Sequence, residues 1–95
     1  MKRVMVRYKV KSDQVEENER LVRAVYEELA GSQPDGLVYA TFKLEDGVSF
    51  MHLARHGDDN PLPKVEAFKE FQKDLGSRTD EPPVVTELEE VGSYD

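Results

Sequence analysis

Residues 37–55, LVYATFKLEDGVSFMHLAR, decide the fold that the rest of the chain must accommodate. Two runs rich in β-branched and aromatic residues flank Asp46-Gly47, and an Asp-Gly pair between apolar runs is among the strongest short-range signals for a β-hairpin. Gly47 adopts positive φ without steric cost, and Asp46 tolerates it better than most residues. The stretch is therefore predicted to form two antiparallel strands joined at this pair.

The length of the turn sets which side chains share a face of the hairpin. A two-residue type I′ turn places Thr41 opposite His52 and Phe42 opposite Met51. One face is then almost wholly apolar and carries Val38, Ala40, Phe42, Leu44, Met51 and Leu53. The other mixes aromatic and polar groups and carries Tyr39, Thr41, Lys43, Phe50, His52 and Ala54. A three-residue loop with a bulge would shift the pairing and mix the two sets, because a one-residue slip exchanges faces.

The segment before the hairpin predicts a strand and a helix. Residues 2–11 alternate with the period of a half-buried strand, whose apolar side is Val4, Val6, Tyr8 and Val10. Residues 14–30 have helical periodicity and are expected to bury Val15, Val22, Val25, Tyr26 and Leu29. Asp13 and Glu16 fit a capping box at the start of this helix, and Gly31 fits the C′ position after it.

The segment after the hairpin predicts a second helix and a final strand. A polar loop over 56–63 leads into a helix over 63–76, with one face formed by Val65, Phe68, Phe71, Gln72 and Leu75. Gly76 is expected to end this helix. Residues 84–91 are predicted to form a strand, and Pro82-Pro83 confine its beginning to a sheet edge or a lead-in.

The predicted order β-α-β-β-α-β indicates a ferredoxin-like α+β fold in a single domain spanning residues 1–95. Right-handed crossovers place both helices on one face of a four-stranded antiparallel sheet. The hairpin carries large apolar groups on both faces, so one set stays uncovered in a monomer, and such a patch usually marks an interface. We therefore expect a homodimer that packs sheet against sheet with two-fold symmetry.

Composition excludes several classes of function. The formal net charge of −7 argues against a nucleic-acid partner, because phosphate binding needs a positive field. Cysteine is absent, which excludes disulfides and thiolate metal sites and fits a reducing cytoplasm, the location we expect. The N-terminus lacks the apolar run of a signal peptide, and no segment has the length and apolarity of a membrane span.

The element order, together with particular residues, resembles the antibiotic biosynthesis monooxygenase-like proteins. The matching features are Gly36-Leu37-Val38-Tyr39 leading into strand two, Phe50 in strand three, and the Pro-Val-Val start of strand four. The resemblance spans nearly the whole chain and implies a dimeric α+β barrel with a pocket between sheet and helices in each subunit. It also implies activities that include cofactor-free oxidation of polycyclic aromatic substrates and haem degradation.

The chain departs from that family at positions that matter for chemistry. Many relatives end strand three with Glu-x-Trp, and the matching positions here are Ala54 and His56. Haem-degrading members use an Asn, a Trp and a His on the second helix, whereas this chain has no Trp and its second helix has no His. The resemblance therefore implies an oxygenase that uses no haem, and we expect no cofactor.

His52 is the best candidate for a catalytic residue, because an imidazole can act as a base near neutral pH. It could equally be a structural histidine, hydrogen-bonded to Thr41 or to a tyrosine hydroxyl. Cofactor-free oxygenation needs a base, a dry apolar pocket and a substrate that can become a carbanion. Residues that could bind a small aromatic substrate are Tyr8, Tyr26, Tyr39, Thr41, Phe50, Phe68 and Phe71, although periodicity alone also explains the aromatic ones as core.

Other site types find little support in the sequence. His56, Asp58 and Asp59 lie in one loop without a fourth ligand, so a solvated loop is favoured over a metal site. Three hypotheses remain: an oxygenase with His52 as base, a dimeric binding domain without chemistry, and a structural dimer whose pocket is filled by side chains. An open cavity beside His52 distinguishes the first two from the third.

Overall fold

The structure is a computed structural model that describes residues 1–95. Its elements, in chain order, are β1 (Lys2–Val10), α1 (Val15–Ser32), β2 (Val38–Lys43), β3 (Ser49–His56), α2 (Glu66–Lys73), α3 (Leu75–Arg78) and β4 (Thr79–Leu88). The strands form one antiparallel sheet in the order β2-β3-β1-β4. This is the predicted ferredoxin-like arrangement, with the helices on one side of the sheet. None of the helices combines the length and apolarity that crossing a bilayer requires.

The register of the hairpin is the predicted one, but its turn is not. Thr41 lies opposite His52 and Phe42 opposite Met51, as a two-residue turn would require. Only Gly47 has positive φ, so the turn is not type I′. Instead the amide of Gly47 donates to the carbonyl of Leu44 at 3.0 Å, and four residues, 45–48, connect the strands. A four-residue loop differs from a two-residue loop by an even number, so the pairing and the faces stay the same.

Asp46 stabilises this turn with its side chain. Its Oδ1 accepts hydrogen bonds from the amides of Val48, at 3.0 Å, and Ser49, at 2.8 Å, while Oδ2 accepts one from the Ser49 hydroxyl at 2.6 Å. These bonds lower the pKa of the Asp46 carboxyl to about 2. Asp46 therefore acts as an acceptor that closes the loop, in the manner of an Asx turn.

The ends of the first helix differ from the prediction. The predicted capping box of Asp13 and Glu16 is wrong, because no side chain caps α1. A 3₁₀ turn over residues 12–14 leads into the helix instead. Gly31 is not the C′ residue either: the helix continues to Ser32, and Gln33 adopts the left-handed conformation with φ 46°. Pro34 follows and cannot continue a helix.

The second helical region is split. Pro63 lies in a 3₁₀ turn over residues 62–64, and α2 begins only at Glu66. The side chain of Glu28, on α1, caps α2 by accepting from the amides of Glu66 and Ala67 at 3.1 and 2.9 Å. Gly76 does not end the helix as predicted, because it lies inside α3.

The last strand begins five residues earlier than predicted and ends at Leu88. It pairs only with β1 and is therefore an edge strand. Pro82 and Pro83 have no amide hydrogen to donate to a neighbouring strand, and an edge strand tolerates this. Basic side chains of β1 pair with acidic ones of the C-terminal segment, as in Lys2 with Glu87 at 2.9 Å and Arg3 with Glu90 at 3.6 Å.

The covered face of the sheet is the one that mixes aromatic and polar groups. The core lies between this face and the helices and contains Tyr8, Val10, Leu21, Val22, Val25, Phe50, Val65, Phe71 and Leu75. The opposite face, which we call the outer face, carries the apolar set of the hairpin and is open to solvent. Phe42 is 49% exposed there and Val84 63% exposed.

Candidate functional site

A cavity of about 220 Å³ lies between the covered face of the sheet and the α2–α3 region. Its walls are mostly apolar and come from all four strands, from α2 and α3, and from the loop before α2. They comprise Val4, Val6, Tyr8, Tyr39, His52, Ala54, His56, Asn60, Leu62, Phe68, Phe71, Gln72, Leu75, Pro83 and Val85. No carboxylate is among them, so the cavity is an uncharged, largely apolar space.

His52 forms the centre of the polar end of this cavity. It lies on β3 between β1 and β2, so the side chains of both neighbouring strands reach its ring. The hydroxyl of Tyr8 is 2.7 Å from Nε2, and the hydroxyl of Tyr39 is 2.6 Å from Nδ1. Thr41 Oγ1 is 3.2 Å from the same Nδ1. Both ring nitrogens therefore have hydrogen-bond partners, and His52 is buried, with only 5% of its surface exposed.

Two further residues extend this hydrogen-bond network behind Tyr8. Asn18, on α1, is fully buried and donates from Nδ2 to the Tyr8 hydroxyl at 2.9 Å. Arg78, at the end of α3, is also buried and donates to Asn18 Oδ1 from Nε at 3.3 Å and from Nη2 at 3.2 Å. The guanidinium also donates to the Phe71 carbonyl at 2.8 Å and lies over the Phe71 ring. The network thus connects α1 and α3 with the strands β1, β2 and β3.

Burial keeps every titratable group of the network uncharged at neutral pH, apart from Arg78. Desolvation lowers the pKa of His52 to about 4, because the imidazolium form would lose its hydration. The same effect raises the pKa of Tyr8 to about 12 and raises the pKa of Tyr39 as well. His52 is consequently a neutral imidazole between two neutral phenols, able to accept a proton only when a negative charge nearby stabilises the result.

The predicted site residues separate into three groups. Five of them line the cavity: Tyr8, Tyr39, His52, Phe68 and Phe71. Tyr26 and Thr41 are not in its wall. Their hydroxyls are 2.8 Å apart, and Thr41 is the one of the two that contacts His52 directly. Phe50 is core: it is 2% exposed and stacks on Tyr8 with 5.7 Å between ring centroids.

Several residues of the site are not among the predicted ones. Asn18 and Arg78 were missed, because a polar residue on a helix is usually exposed. Asn18 lies three residues after Val15 and four before Val22, so it occupies the apolar stripe of α1, and that spacing was the available signal. His56, Asn60 and Gln72 add polar groups to the cavity wall.

The loop over 56–63 does not assemble a metal site. No three His, Asp or Glu side chains converge anywhere in the structure. His56 Nδ1 is 2.7 Å from the Gly57 carbonyl, to which it donates, and this bond orients the ring. The residues of this loop contribute to the cavity through Asn60 and Leu62 instead.

No family model matches the sequence, and no curated protein matches it. Solved structures do match it over nearly their whole length. A crystal structure of an antibiotic biosynthesis monooxygenase is 18% identical, with a TM-score of 0.76 over 97% of this chain and all of the other. A protein from Mycobacterium tuberculosis is 17% identical, with a TM-score of 0.76 over 99% of this chain and 98% of the other.

A third match carries a functional description. A variant of SnoaB, a cofactor-independent oxygenase from Streptomyces nogalater, is 13% identical, with a TM-score of 0.70 over 97% of this chain and 94% of the other. At such identities the likeness shows a shared fold. The chain has the fold of the antibiotic biosynthesis monooxygenase structures, and the resemblance drawn from the sequence is confirmed at that level.

Proposed function

We propose that the cavity binds a small aromatic molecule and that the protein oxidises this molecule with molecular oxygen, without a cofactor. The observation that carries the proposal is an apolar cavity with one polar end, formed by His52 between two tyrosine hydroxyls. A cavity of about 220 Å³ is smaller than the roughly 300 Å³ at which ligand pockets usually begin. A substrate of one or two fused rings therefore fits better than a larger polycycle.

The reaction consists of a proton transfer followed by oxidation. A methylene group activated by a neighbouring aryl ketone loses a proton to the site and becomes a carbanion. The carbanion transfers one electron to O₂, the two radicals combine into a peroxide, and loss of water leaves a new carbonyl group. The methylene thus becomes C=O, and O₂ supplies one oxygen atom to the product and one to water.

His52 is the proposed base in the first step. Its neutral imidazole is already in the proton-accepting form at pH 7, since burial lowers its pKa to about 4. A substrate anion beside the ring raises that pKa by Coulombic attraction, so the proton is held while the anion exists. Tyr8 and His52 both line the cavity, and the Tyr8 hydroxyl, 2.7 Å from Nε2, can pass the proton to the ring.

Oxygen consumption with α-tetralone, a two-ring aryl ketone with acidic methylene hydrogens, tests this function. We expect uptake of O₂ with formation of a diketone, and its loss in His52→Leu, which keeps a similar volume. Far-UV circular dichroism of the variant checks that the fold is intact. Binding of the ketone without any oxygen uptake over the uncatalysed rate would contradict the oxygenase proposal.

A second function, binding without chemistry, is favoured by one specific observation. Both nitrogens of His52 already have hydrogen-bond partners, so no nitrogen is free to contact a ligand directly. If the protein binds a ligand without chemistry, the network keeps the polar end of the binding pocket rigid. His52→Leu then weakens ligand binding, and no turnover is present for it to abolish. The two functions are distinguished by the product analysis above.

We also propose that the protein is a homodimer joined through the outer face of the sheet, with each copy folded as one domain over residues 1–95. Exposed Val38, Phe42, Val84 and Leu88 support this, because each is at least 40% exposed and all lie on the same side of the sheet. Apolar patches of this kind are unusual on monomers. A second copy presents the same patch and covers it by two-fold symmetry.

A further inference from the structure

We infer that Asn18, held by Arg78, is a positioning residue that selects the Nδ1–H tautomer of His52 and thereby leaves the hydroxyl proton of Tyr39 for a ligand. The tautomer follows from hydrogen-bond geometry alone. Its consequence for the ligand rests on the proposed function and specifies the substrate further: it must carry a hydrogen-bond acceptor at the end that meets Tyr39.

The orientation of the Asn18 amide is determined by Arg78. A guanidinium has only donors, so the atom of Asn18 that faces Nε and Nη2 of Arg78 must be the oxygen. The amide nitrogen then faces the Tyr8 hydroxyl, 2.9 Å away. Asn18 is fully buried and Arg78 is 4% exposed, so water does not offer either group an alternative partner.

The direction of the next bond follows from the amide nitrogen. Because Nδ2 of Asn18 can only donate, the oxygen of Tyr8 accepts, and the hydroxyl proton of Tyr8 needs an acceptor of its own. The one polar atom within reach is Nε2 of His52, at 2.7 Å. A proton on Nε2 would leave the buried Tyr8 hydroxyl with two donors facing it and no acceptor, which is unfavourable. Nε2 is therefore the acceptor, and the neutral ring carries its proton on Nδ1.

The proton on Nδ1 of His52 determines the hydrogen-bond role of Tyr39. Nδ1–H donates to the oxygen of Tyr39 at 2.6 Å, with Thr41 Oγ1 more distant at 3.2 Å. Tyr39 does not need to donate to His52, so its proton can leave the neighbouring Thr41 hydroxyl and turn towards a ligand acceptor in the cavity that Tyr39 lines. In the opposite tautomer, Tyr39 would donate its proton to Nδ1, and only its oxygen, as an acceptor, would remain for a ligand. A ketone or phenolate oxygen on the ligand matches the donor that we infer.

Nuclear magnetic resonance of the histidine rings in the full-length ¹⁵N-labelled protein tests the tautomer without any ligand. Long-range ¹H–¹⁵N correlations distinguish Nδ1–H from Nε2–H, and we expect Nδ1–H for His52 at pH 7. Asn18→Asp places an acceptor-only carboxylate against Arg78, so Tyr8 should donate to it and His52 should switch to Nε2–H. Gln14→Glu, an amide-to-carboxylate change outside the cavity and the network, should leave the pattern of His52 as it is.

Either an Nε2–H pattern in the unmodified protein or an unchanged pattern in folded Asn18→Asp overturns the inference. Should Asn18→Asp fail to fold, the spectrum of the unmodified protein still decides the tautomer. These readouts do not depend on turnover, so they separate this inference from the proposed function. A merely structural role of Asn18 would affect stability and leave the tautomer the same.

Calorimetric titration with α-tetralone and with tetralin, which lacks only the carbonyl group, tests the consequence for the ligand. We expect the ketone to bind about 3- to 10-fold tighter, the usual range for one hydrogen bond, and we expect Tyr39→Phe to remove the difference. Equal affinities in the unmodified protein would refute the donor role of Tyr39. If neither compound binds, the proposed function fails and the tautomer assignment stands.

Discussion

The two faces of the sheet have the opposite character from that expected of an isolated subunit. The covered face, under the helices, carries a histidine, three hydroxyl side chains and a hydrogen-bond network that extends to Arg78. The outer face carries Phe42, Met51 and Leu53 and is open to solvent. Burial of polar groups is unfavourable unless they are paired, and exposure of apolar groups is unfavourable unless a partner covers them.

This contrast assigns a different role to each face. Every buried polar side-chain atom in the structure has a hydrogen-bond partner, so the covered face is a satisfied network beside a cavity. The outer face has no such network: Arg7 lies opposite Met51 and Val84, while Arg3 and Arg55 lie opposite each other towards one end of the sheet. The covered face therefore supports the proposed binding site, and the outer face supports the proposed surface between subunits.

The largest expected effect is on the outer face. Phe42→Glu introduces a carboxylate into the apolar part of the proposed interface, and burying such a charge is strongly unfavourable. We expect the dissociation constant of the dimer to rise at least about 100-fold. Analytical ultracentrifugation at micromolar concentration measures it. Val91→Glu, at a residue that is 97% exposed and outside the sheet, is the matched control and should remain dimeric. A monomeric unmodified protein would remove the proposed interface.

The next effect, on the covered face, concerns pH. The unfolded chain protonates His52 near pH 6.5 and the folded chain only near pH 4, so the unfolded state binds more protons between these values. The free energy of unfolding therefore falls as the pH is lowered through this window, by up to about 3 kcal/mol from this residue. Urea denaturation at pH 7, 5.5 and 4.5 measures the trend. Replacement of His52 by Gln should flatten it, and an equally steep trend in that variant would show that other groups are responsible.

A smaller effect compares two tyrosines of the covered face. Tyr8→Phe leaves Nδ2 of Asn18 and Nε2 of His52 without their partner, which should lower the free energy of unfolding by about 2 kcal/mol. Tyr26→Phe removes a bond to Thr41, whose hydroxyl still has Nδ1 of His52 nearby, so about 0.5–1 kcal/mol is expected. Thermal denaturation of both proteins measures the difference. The reverse order of stability would mean that the network is centred on Tyr26 instead of His52.

The smallest effect tests the turn that keeps the two faces apart. Gly47 has a φ of 79°, which an alanine adopts only with strain, so Gly47→Ala should lower the free energy of unfolding by about 1 kcal/mol. Gly57→Ala is the matched control, because Gly57 has no positive φ and a Cβ there would meet no atom within 4 Å. Chemical denaturation of the two variants should show a loss only for the first. Equal stabilities would indicate that the turn tolerates other conformations.

The fold could be predicted from the sequence because strands and helices produce periodic patterns of apolar residues. Alternation in β1 and in the hairpin gives the strands, and the register survived an incorrect turn type because both loop lengths preserve the same faces. Element ends were less predictable. The cap of α2 is the side chain of Glu28, which lies on α1 and is remote from α2 in the sequence. No local sequence pattern predicts a contact between residues so far apart in the chain.

The site was only partly predictable. The aromatic residues and His52 are visible in a strand pattern, but the pattern does not say which face the helices cover, because both faces of the hairpin are apolar enough to be buried. Asn18 and Arg78 lie on different helices and meet only after the chain folds. Phe50 shows the converse, since its place in strand three suggested a binding residue and the packing puts it in the core.

A crystal structure of the protein soaked with α-tetralone tests the division between the two faces most directly. We predict the ketone in the cavity between sheet and helices, with its oxygen within hydrogen-bond distance of the Tyr39 hydroxyl, and the outer faces of two copies packed together. A ketone bound on the outer face, or a cavity filled by its own side chains, would contradict the roles assigned here to both faces.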